Sequence, residues 1–374
     1  MSFDRFKFIK SLLRFDDTIR RDRDDPLAPI CTVIDLFNKN GQAVYIPGPH
    51  LTLDEQLIEF HGRVKFRRYI PTKPGKYGLL MYWITDAETS IPVNGLLYIG
   101  QSTLSASDHA QGSFSESLTL HISSPFLGKG RNIVMDNYFT SLTLAEKLAE
   151  KNTTIVGTIR SNRRELPPAA KALGGRQRGD TVHYKNRNTI LCSFWDKRNK
   201  PVLLISSMHP GETYRPEGKS EIVAYYNAHK SGVDNFDKLV RNYRSQRKCR
   251  RWPYGVFFNL VDASCIIAHK LWPESETHYE FKKELGKEMC MPLIKKRSSH
   301  EKLRSSVKVA MTLIGLSYSC PPAMDVDVDG SKRGRCFMCA RSNDTKTNFI
   351  CGHRFVCKNQ RNVVKQIHCK SCFH

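Results

Sequence analysis

The sequence predicts a mixed α/β fold built around a central sheet, and three observations support this prediction. Strand-like segments separated by polar turns follow one another from Tyr45 to Gly100. A short apolar run at Ile133 is followed by an amphipathic helix that Ser141 opens. The segment TTIVGTIR, rich in β-branched residues, comes directly after that helix. Strands followed by a strand–helix–strand unit are typical of a mixed sheet.

Composition indicates the class of partner. The 374 residues suffice for one to three domains, and 59 basic against 36 acidic side chains give a net charge of +23. Such a charge favours a polyanionic partner, and nucleic acid is favoured over an acidic membrane surface. The sequence has no secretory signal and no uncharged run of membrane-spanning length, so we expect an intracellular protein with no membrane partner.

The elements on either side of the strand–helix unit can also be predicted. A helix over Phe3–Phe15 and a second over Ile30–Phe37 precede the strand candidates LTLDEQ, VKFRRYI, GLLMYWITD and PVNGLLYIG. Basic, Gly-rich sequence from Ser161 to about Tyr226, containing the strand candidates TILCSFW and VLLISSM, is interpreted as an insertion. Long helices with a break at Pro253 follow, and the weakly periodic stretch from Met289 to Arg335 is predicted to be a linker.

Four aspartates occur where regular structure could position them. Asp54 lies in LTLDEQ, Asp136 ends the strand at Ile133, and Asp234 and Asp237 lie three residues apart at a helix start. Enzymes that transfer phosphoryl groups with two divalent ions about 4 Å apart need several carboxylates from different elements. Mg²⁺ prefers such hard oxygen ligands. Each aspartate alone could equally be a turn residue, a polar strand residue, a helix cap or a solvated helical acid.

A basic run and a Cys-rich tail complete the set of candidates. The basic run could contact phosphates or form a solvated helix face, and the first reading is favoured because the run is so one-sided. It comprises Arg241, Arg244, Arg247, Lys248, Arg250 and Arg251. Two Cys-x2-Cys pairs that bracket further ligands predict tetrahedral zinc in two interleaved sites. The candidate ligands are Cys336, Cys339, Cys351, His353, Cys357, Cys369 and Cys372, with His368 or His374 as the eighth.

Three long segments resemble piggyBac-type transposases. These are YIPGPHLTLDEQLIEFHGRVKFRRYIPTKPGKYG, NIVMDNYFTSLTLAEKLAEKNTTIVGTIRSNRRELP and SGVDNFDKLVRNYRSQRKCRRWP. The resemblance implies an RNase H-like mixed-sheet core with an insertion domain, a helical N-terminal region and a small C-terminal cross-brace zinc-binding domain. It implies that Asp54, Asp136 and Asp234 are the catalytic aspartates, with Asp237 as an additional acid. It also implies the following boundaries: a dimerisation and DNA-binding region over 1–44, truncated at its start; a catalytic core over 45–165 and 227–288; an insertion domain over 166–226; a linker over 289–335; and a zinc domain over 336–374.

The activity implied by the resemblance is cut-and-paste DNA transposition. A homodimer would use Mg²⁺ or Mn²⁺ to nick double-stranded DNA at transposon ends, form hairpins and join the ends to TTAA targets, in the nucleus. Two Zn²⁺ ions would hold the C-terminal domain. One alternative is a domesticated, non-cleaving protein that binds DNA or chromatin, and a weaker one is a tail that reads histone or other peptides. The presence of all four aspartates favours the transposase.

Overall fold

A nine-stranded mixed sheet organises the first of two units, Met1–His278 and Tyr279–His374. The computed structural model describes residues 3–109, 112–172, 176–195, 201–211, 213–216, 218–247, 249–272, 277–298, 303–316, 334–335, 346–347, 350–351 and 354–355. The strands of the sheet are β1 (His50–Glu59), β2 (Arg68–Tyr69), β3 (Tyr77–Asp86), β4 (Pro92–Leu97), β5 (Asn132–Met135), β6 (Thr154–Thr158), β7 (Thr181–Asn186), β8 (Thr189–Phe194) and β9 (Val202–Ser206).

Helices cover both faces of this sheet. They are α1 (Phe3–Leu12), α2 (Cys31–Val44), α3 (Ala106–His109), α4 (Phe114–Ser123), α5 (Leu142–Ala149), α6 (Pro168–Lys171), α7 (Glu221–His229), α8 (Gly232–Asn242) and α9 (Trp252–Leu271). Apolar residues of α4 and α5 pack on one face, and those of α2, α7, α8 and α9 pack on the other. The predicted mixed α/β sheet is confirmed, with β1 buried on both faces.

The sheet order is β2-β3-β1-β5-β6-β9-β8-β7, and β4 also pairs with β3. The three central strands β1, β5 and β6 are parallel, whereas the strands on both sides pair antiparallel. Residues 166–226, predicted as an insertion, therefore contain three strands that continue the main sheet. Of these, β8 and β9 match the predicted strands, and β7 was not predicted.

The helix predicted after β5 illustrates how the sequence determines local structure. The hydroxyl of Ser141 accepts a hydrogen bond from the backbone N–H of Leu144, which satisfies one of the unpaired donors of the first turn. Leu144 and Leu148 then bury their side chains against the sheet. Pro253 stands in the first turn of α9, where its missing N–H costs no helical bond, so the predicted break lies between α8 and α9.

In the part of the second unit that the structure describes, there are two helices and two short hairpins. The helices are α10 (His278–Ser298), which starts at the unit boundary, and α11 (Ser305–Leu313). The strands are β10 (Gly334–Arg335), paired with β11 (Lys346–Thr347), and β12 (Ile350–Cys351), paired with β13 (Arg354–Phe355). The predicted linker over 289–335 thus includes the end of α10 and all of α11.

Candidate active site

Asp54 and Asp136 are brought side by side by parallel strand pairing. Leu53 of β1 lies opposite Met135, the last residue of β5, and an aspartate follows each of these two residues. Neighbouring strands are about 4.8 Å apart, and residues in register point to the same face. Leu53 and Met135 pack into the core on one face, which directs the two carboxylates to the other face, where α7 and α8 lie.

The loop after β5 holds Asp136 in place. The backbone N–H of Tyr138 donates to the Asp136 carboxylate at 2.8 Å, and the Thr140 hydroxyl donates to the Asp136 carbonyl oxygen at 2.7 Å. Gly157 of β6 lies beneath this loop, where a Cβ atom would be 2.4 Å from the Thr140 hydroxyl oxygen. The close approach of loop and strand therefore depends on glycine at this position.

Negative charge accumulates at this pair, and the charge of Arg160 offsets only part of it at Asp136. Burial, followed by the charge of Glu55, raises the pKa of Asp54 to about 8, and the charge of Asp136 adds to this effect. Burial also raises the pKa of Asp136, with a further contribution from Glu55 and opposition from the N–H of Tyr138. A half-buried cluster of carboxylates of this kind is suited to binding a divalent cation, because oxygen donors are the ligands that Mg²⁺ prefers. The donor set therefore fits the metal that the sequence predicts.

The charge of Asp234 acts on Tyr226 of α7 together with the charges of Asp54 and Asp136. Burial raises the pKa of the Tyr226 hydroxyl, and the charges of Asp136, Asp54 and Asp234 all raise it further, while a hydrogen bond with Thr158 opposes them. All three carboxylates therefore act electrostatically on the same phenol. Sequence reasoning did not find Tyr226, because its role depends on the return of α7 across β1, β5 and β6.

Gly232 allows α8 to lie close enough to the sheet for this arrangement. A Cβ atom at this position would be 2.6 Å from Oγ1 of Thr85 and 2.7 Å from Oγ1 of Thr52. The Thr52 hydroxyl donates to the carbonyl oxygen of His229 at 2.7 Å, which ties the end of α7 to β1. The α7–α8 junction is thereby held against β1, and Asp234 follows in the first turn of α8.

Asp237 has different surroundings from Asp234, although both lie on α8. Asp234 is exposed, whereas Asp237 is buried and accepts a 2.9 Å hydrogen bond from Nε2 of Gln56. Nε of Arg241 lies 3.2 Å from its second oxygen. Gln56 in turn accepts from the indole N–H of Trp83 and the amide of Asn259, each at 2.9 Å. One oxygen of Asp237 therefore ties α8 to β1 through Gln56, and the other makes an i,i+4 ion pair within α8.

The basic run between α8 and α9 divides into two groups. Arg241 pairs with Asp237, Arg244 pairs with Glu59 at 2.9 Å, and Arg251 donates to backbone carbonyls near the end of α1. Arg247 and Arg250 are exposed and line a cavity of 780 Å³ beside the end of β1. Lys248 lies outside the described residues. The exposed pair is thus better placed than the paired arginines to contact a ligand.

A second cavity, of 400 Å³, adjoins Asp136 directly. Its lining includes the acids Glu55 and Asp136 and the exposed cations Arg68 and Arg160. Arg160 donates to the side-chain oxygen of Asn137 at 3.2 Å. Glu55, Arg68 and Arg160 were not singled out from the sequence; the position of Glu55 directly after Asp54 was the available signal.

The predicted zinc ligands lie almost entirely outside the described residues. Cys351 forms part of β12, and its backbone pairs with Arg354 of β13. The remaining predicted ligands are outside the described part of the chain: Cys336, Cys339, His353, Cys357, His368, Cys369, Cys372 and His374. The zinc sites therefore stay a prediction.

Comparison with known proteins identifies the class to which this sheet and carboxylate cluster belong. A family model described as Transposase IS4 matches residues 1–269. The chain belongs to this transposase family, and its resemblance to piggyBac-type transposases is confirmed. None of the helices in the described ranges is long and apolar enough to cross a membrane.

Two human proteins and one solved structure are similar to the chain. The human PiggyBac transposable element-derived protein 3 is 25% identical, with 76% of this chain and 51% of that protein covered. The human Chimeric ERCC6-PGBD3 protein is also 25% identical, over 76% of this chain and 29% of its own length. The chain thus spans about half the length, or less, of these relatives. A cryo-EM structure of a piggyBac transposase synaptic complex with hairpin DNA has a TM-score of 0.80 and 31% identity, covering 100% of this chain and 80% of that one.

Proposed function

We propose that the protein is a cut-and-paste DNA transposase that nicks transposon ends, forms hairpins and transfers the ends to TTAA targets. The observations that support this proposal are the strand register that sets Asp54 beside Asp136, and the effect of the charges of Asp54, Asp136 and Asp234 on the pKa of Tyr226. Three carboxylates from a strand, a strand end and a helix are the arrangement that metal-assisted phosphoryl transfer requires. Bound by these carboxylates, Mg²⁺ would supply Lewis-acid activation of the attacking water or 3′-hydroxyl.

The residues around the carboxylates have separate tasks in this proposal. The N–H of Tyr138 fixes the orientation of the Asp136 carboxylate, and Thr158 fixes the hydroxyl of Tyr226. Arg68 and Arg160 line the cavity next to Asp136, where they can contact the phosphates that flank a scissile bond. Pre-positioned groups of this kind reduce the reorganisation needed when the substrate binds.

A separate basic surface is proposed to bind the DNA at a distance from the scissile bond. Arg247 and Arg250 line the cavity at the end of β1 and can contact phosphates without reading sequence. The similar solved structure is described as a synaptic complex with hairpin DNA, which supports duplex DNA as the partner. A homodimer, a nuclear location, the domain boundaries stated above and a C-terminal domain with two Zn²⁺ ions belong to the same proposal.

The test is cleavage of a labelled duplex by the purified chain. The duplex carries the terminal repeats that flank its gene, and the reaction contains Mg²⁺. We expect nicks and hairpins with the wild type and none with Asp136→Asn, which keeps the side-chain shape but removes the charge. Asp35→Asn serves as the matched control because Asp35 is exposed on α2. Equal cleavage by the wild type and Asp136→Asn would refute the assignment.

The second candidate is a domesticated protein that binds DNA or chromatin without cutting it. The observation that favours it is that the human relative is described as a transposable element-derived protein. In the same experiment this candidate predicts binding of the duplex without cleavage by either the wild type or Asp136→Asn. That outcome would exclude the transposase activity of this chain.

A further inference from the structure

Two histidines and a glutamate meet at the opposite end of β1 from the aspartate cluster. His50 is the first residue of β1, His229 is the last residue of α7, and Glu88 lies in the turn between β3 and β4. One nitrogen of each imidazole and one carboxylate oxygen of Glu88 lie within 4.8 Å of one another. Asp54 is four residues further along the strand, or roughly 13 Å at 3.3 Å per residue, so this cluster is separate from the catalytic one.

Hydrogen bonds determine which nitrogen of His229 is free. Its Nδ1 lies 2.8 Å from the backbone carbonyl oxygen of Tyr225. A carbonyl oxygen only accepts, so Nδ1 carries the proton. The Nε2 atom of His229 therefore presents a lone pair.

A longer chain of hydrogen bonds assigns the proton on His50. The amide nitrogen of Asn132 donates to the Thr154 hydroxyl at 2.9 Å, which turns its Oδ1 toward Tyr225. The Tyr225 hydroxyl donates its one proton to that Oδ1 at 3.3 Å. The same hydroxyl oxygen lies 2.7 Å from Nδ1 of His50 and therefore acts as the acceptor in that contact. Nδ1 of His50 then carries the proton and Nε2 is free. Metal-binding histidines usually donate their other N–H to an oxygen in this way, which orients the ring.

We propose that His50, His229 and Glu88 form a zinc site. Two imidazoles and one carboxylate are a ligand set that zinc uses with an open fourth position, whereas Mg²⁺ prefers oxygen ligands alone. Zinc–ligand bonds of about 2.0–2.2 Å require ligand atoms about 3.4 Å apart in a tetrahedron. Glu88 is exposed, so its side chain is free to rotate and bring its carboxylate to this distance from the two imidazoles.

The electrostatics of the histidine pair agree with this site. The two ring centroids are 4.7 Å apart. Burial, together with the neighbouring His229, lowers the pKa of His50. This shift favours the neutral form of His50, and a neutral imidazole is the form that binds metal.

Zinc bound here would join the start of β1, the β3–β4 turn and the end of α7. Gly232 and Asp234 come three and five residues after His229, so the ion would brace the junction that brings α8 to the sheet. The site thus acts as a structural clamp beside the catalytic cluster. This inference does not depend on whether the protein cleaves DNA.

The test measures zinc bound per full-length chain after dialysis against Zn²⁺, in the wild type and three variants. Any zinc held by the C-terminal cysteines is common to all of them and cancels in the comparison. We expect His229→Gln to hold one equivalent less than the wild type. Glu88→Gln, whose side chain is exposed and therefore not needed for folding, should lower the affinity about tenfold or more. His121→Gln, which removes a histidine paired with Asp108 on the surface of α4, should match the wild type.

A second measurement separates this site from the tail. The four tryptophans, Trp83, Trp195, Trp252 and Trp272, all lie in the first unit, so their fluorescence reports the unfolding of that unit alone. Zn²⁺ should raise the urea midpoint of the wild type and of His121→Gln, and should leave that of His229→Gln unchanged. Equal zinc content in the wild type and in the His229→Gln and Glu88→Gln variants, with an equal effect of Zn²⁺ on unfolding, would overturn the proposal.

Discussion

Replacing Gln56 by alanine should destabilise the first unit more than any exposed substitution. The Gln56 side chain is buried, donates to Asp237, and accepts hydrogen bonds from Trp83 and Asn259. Its removal leaves the indole N–H and the Asn259 amide without this partner, while Asp237 keeps its ion pair with Arg241. Each unsatisfied buried polar group costs about 1–3 kcal/mol. We therefore expect a loss of about 3–5 kcal/mol, a large part of the 5–15 kcal/mol typical of folded proteins.

Urea unfolding followed by tryptophan fluorescence measures this loss in the first unit. Gln42→Ala is the matched control, because Gln42 is half-buried and makes a 3.3 Å hydrogen bond to the Val93 carbonyl oxygen. Its loss should cost no more than about 1 kcal/mol. If the two variants unfold at the same urea concentration, the network around Gln56 does not hold α8 against β1 as described.

Three further predictions concern charge, close packing and DNA binding. The pKa of Asp54 is raised from 3.8 to about 8 in the folded chain, so without divalent metal the wild type should lose stability relative to Asp54→Asn as the pH rises from about 4 to about 8. Below about pH 4 the two proteins should be equally stable, and urea unfolding measured across this pH range tests both expectations. Gly232→Ala should destabilise by about 1–3 kcal/mol. Gly41→Ala in α2 should be neutral or stabilising in the same assay, because the new Cβ atom would lie 4.0 Å from the side chain of Ile267, an ordinary contact. Arg247→Ala should weaken binding to duplex DNA and lower the slope of log affinity against log salt by about 1, while Arg187→Ala, which removes an exposed arginine paired with Glu146, should leave the slope unchanged.

The local elements could be predicted because their determinants are close in sequence. The apolar run at Ile133, the cap at Ser141 and the i,i+4 pair Leu144 and Leu148 specify β5 and α5 within about 20 residues, and both are present. In contrast, VKFRRYI was predicted as a strand, and only Arg68 and Tyr69 of it pair, with Gly78 and Tyr77 at the start of β3. Both are exposed at the sheet edge, so alternation there does not reflect a buried face.

The site depends on contacts that sequence spacing does not contain. The register that sets Asp54 beside Asp136 joins residues 82 positions apart, and the Gln56–Asp237 hydrogen bond spans 181 positions. The catalytic aspartates could be predicted only from the resemblance to piggyBac-type transposases, because that resemblance rests on long segments and not on the spacing of single residues. Tyr226 belongs to the segment just before the third resembling stretch, and no local pattern distinguishes it from an ordinary core tyrosine of an amphipathic helix.

The two aspartates of α8 illustrate why equal spacing does not imply equal roles. Positions i and i+3 lie about 60° apart around a helix, so Asp234 and Asp237 share a side only approximately. Asp234 is exposed on one edge of that side. Asp237 lies on the other edge, which β1 covers, and it accepts a hydrogen bond from the amide N–H of Gln56. Both oxygens of Asp237 are engaged, one by Gln56 of β1 and one by Arg241 of the same helix, so an ion at this carboxylate would compete with the hydrogen bond that fastens α8 to the sheet. The geometry therefore favours Asp234 as the ligand and Asp237 as the residue that positions it.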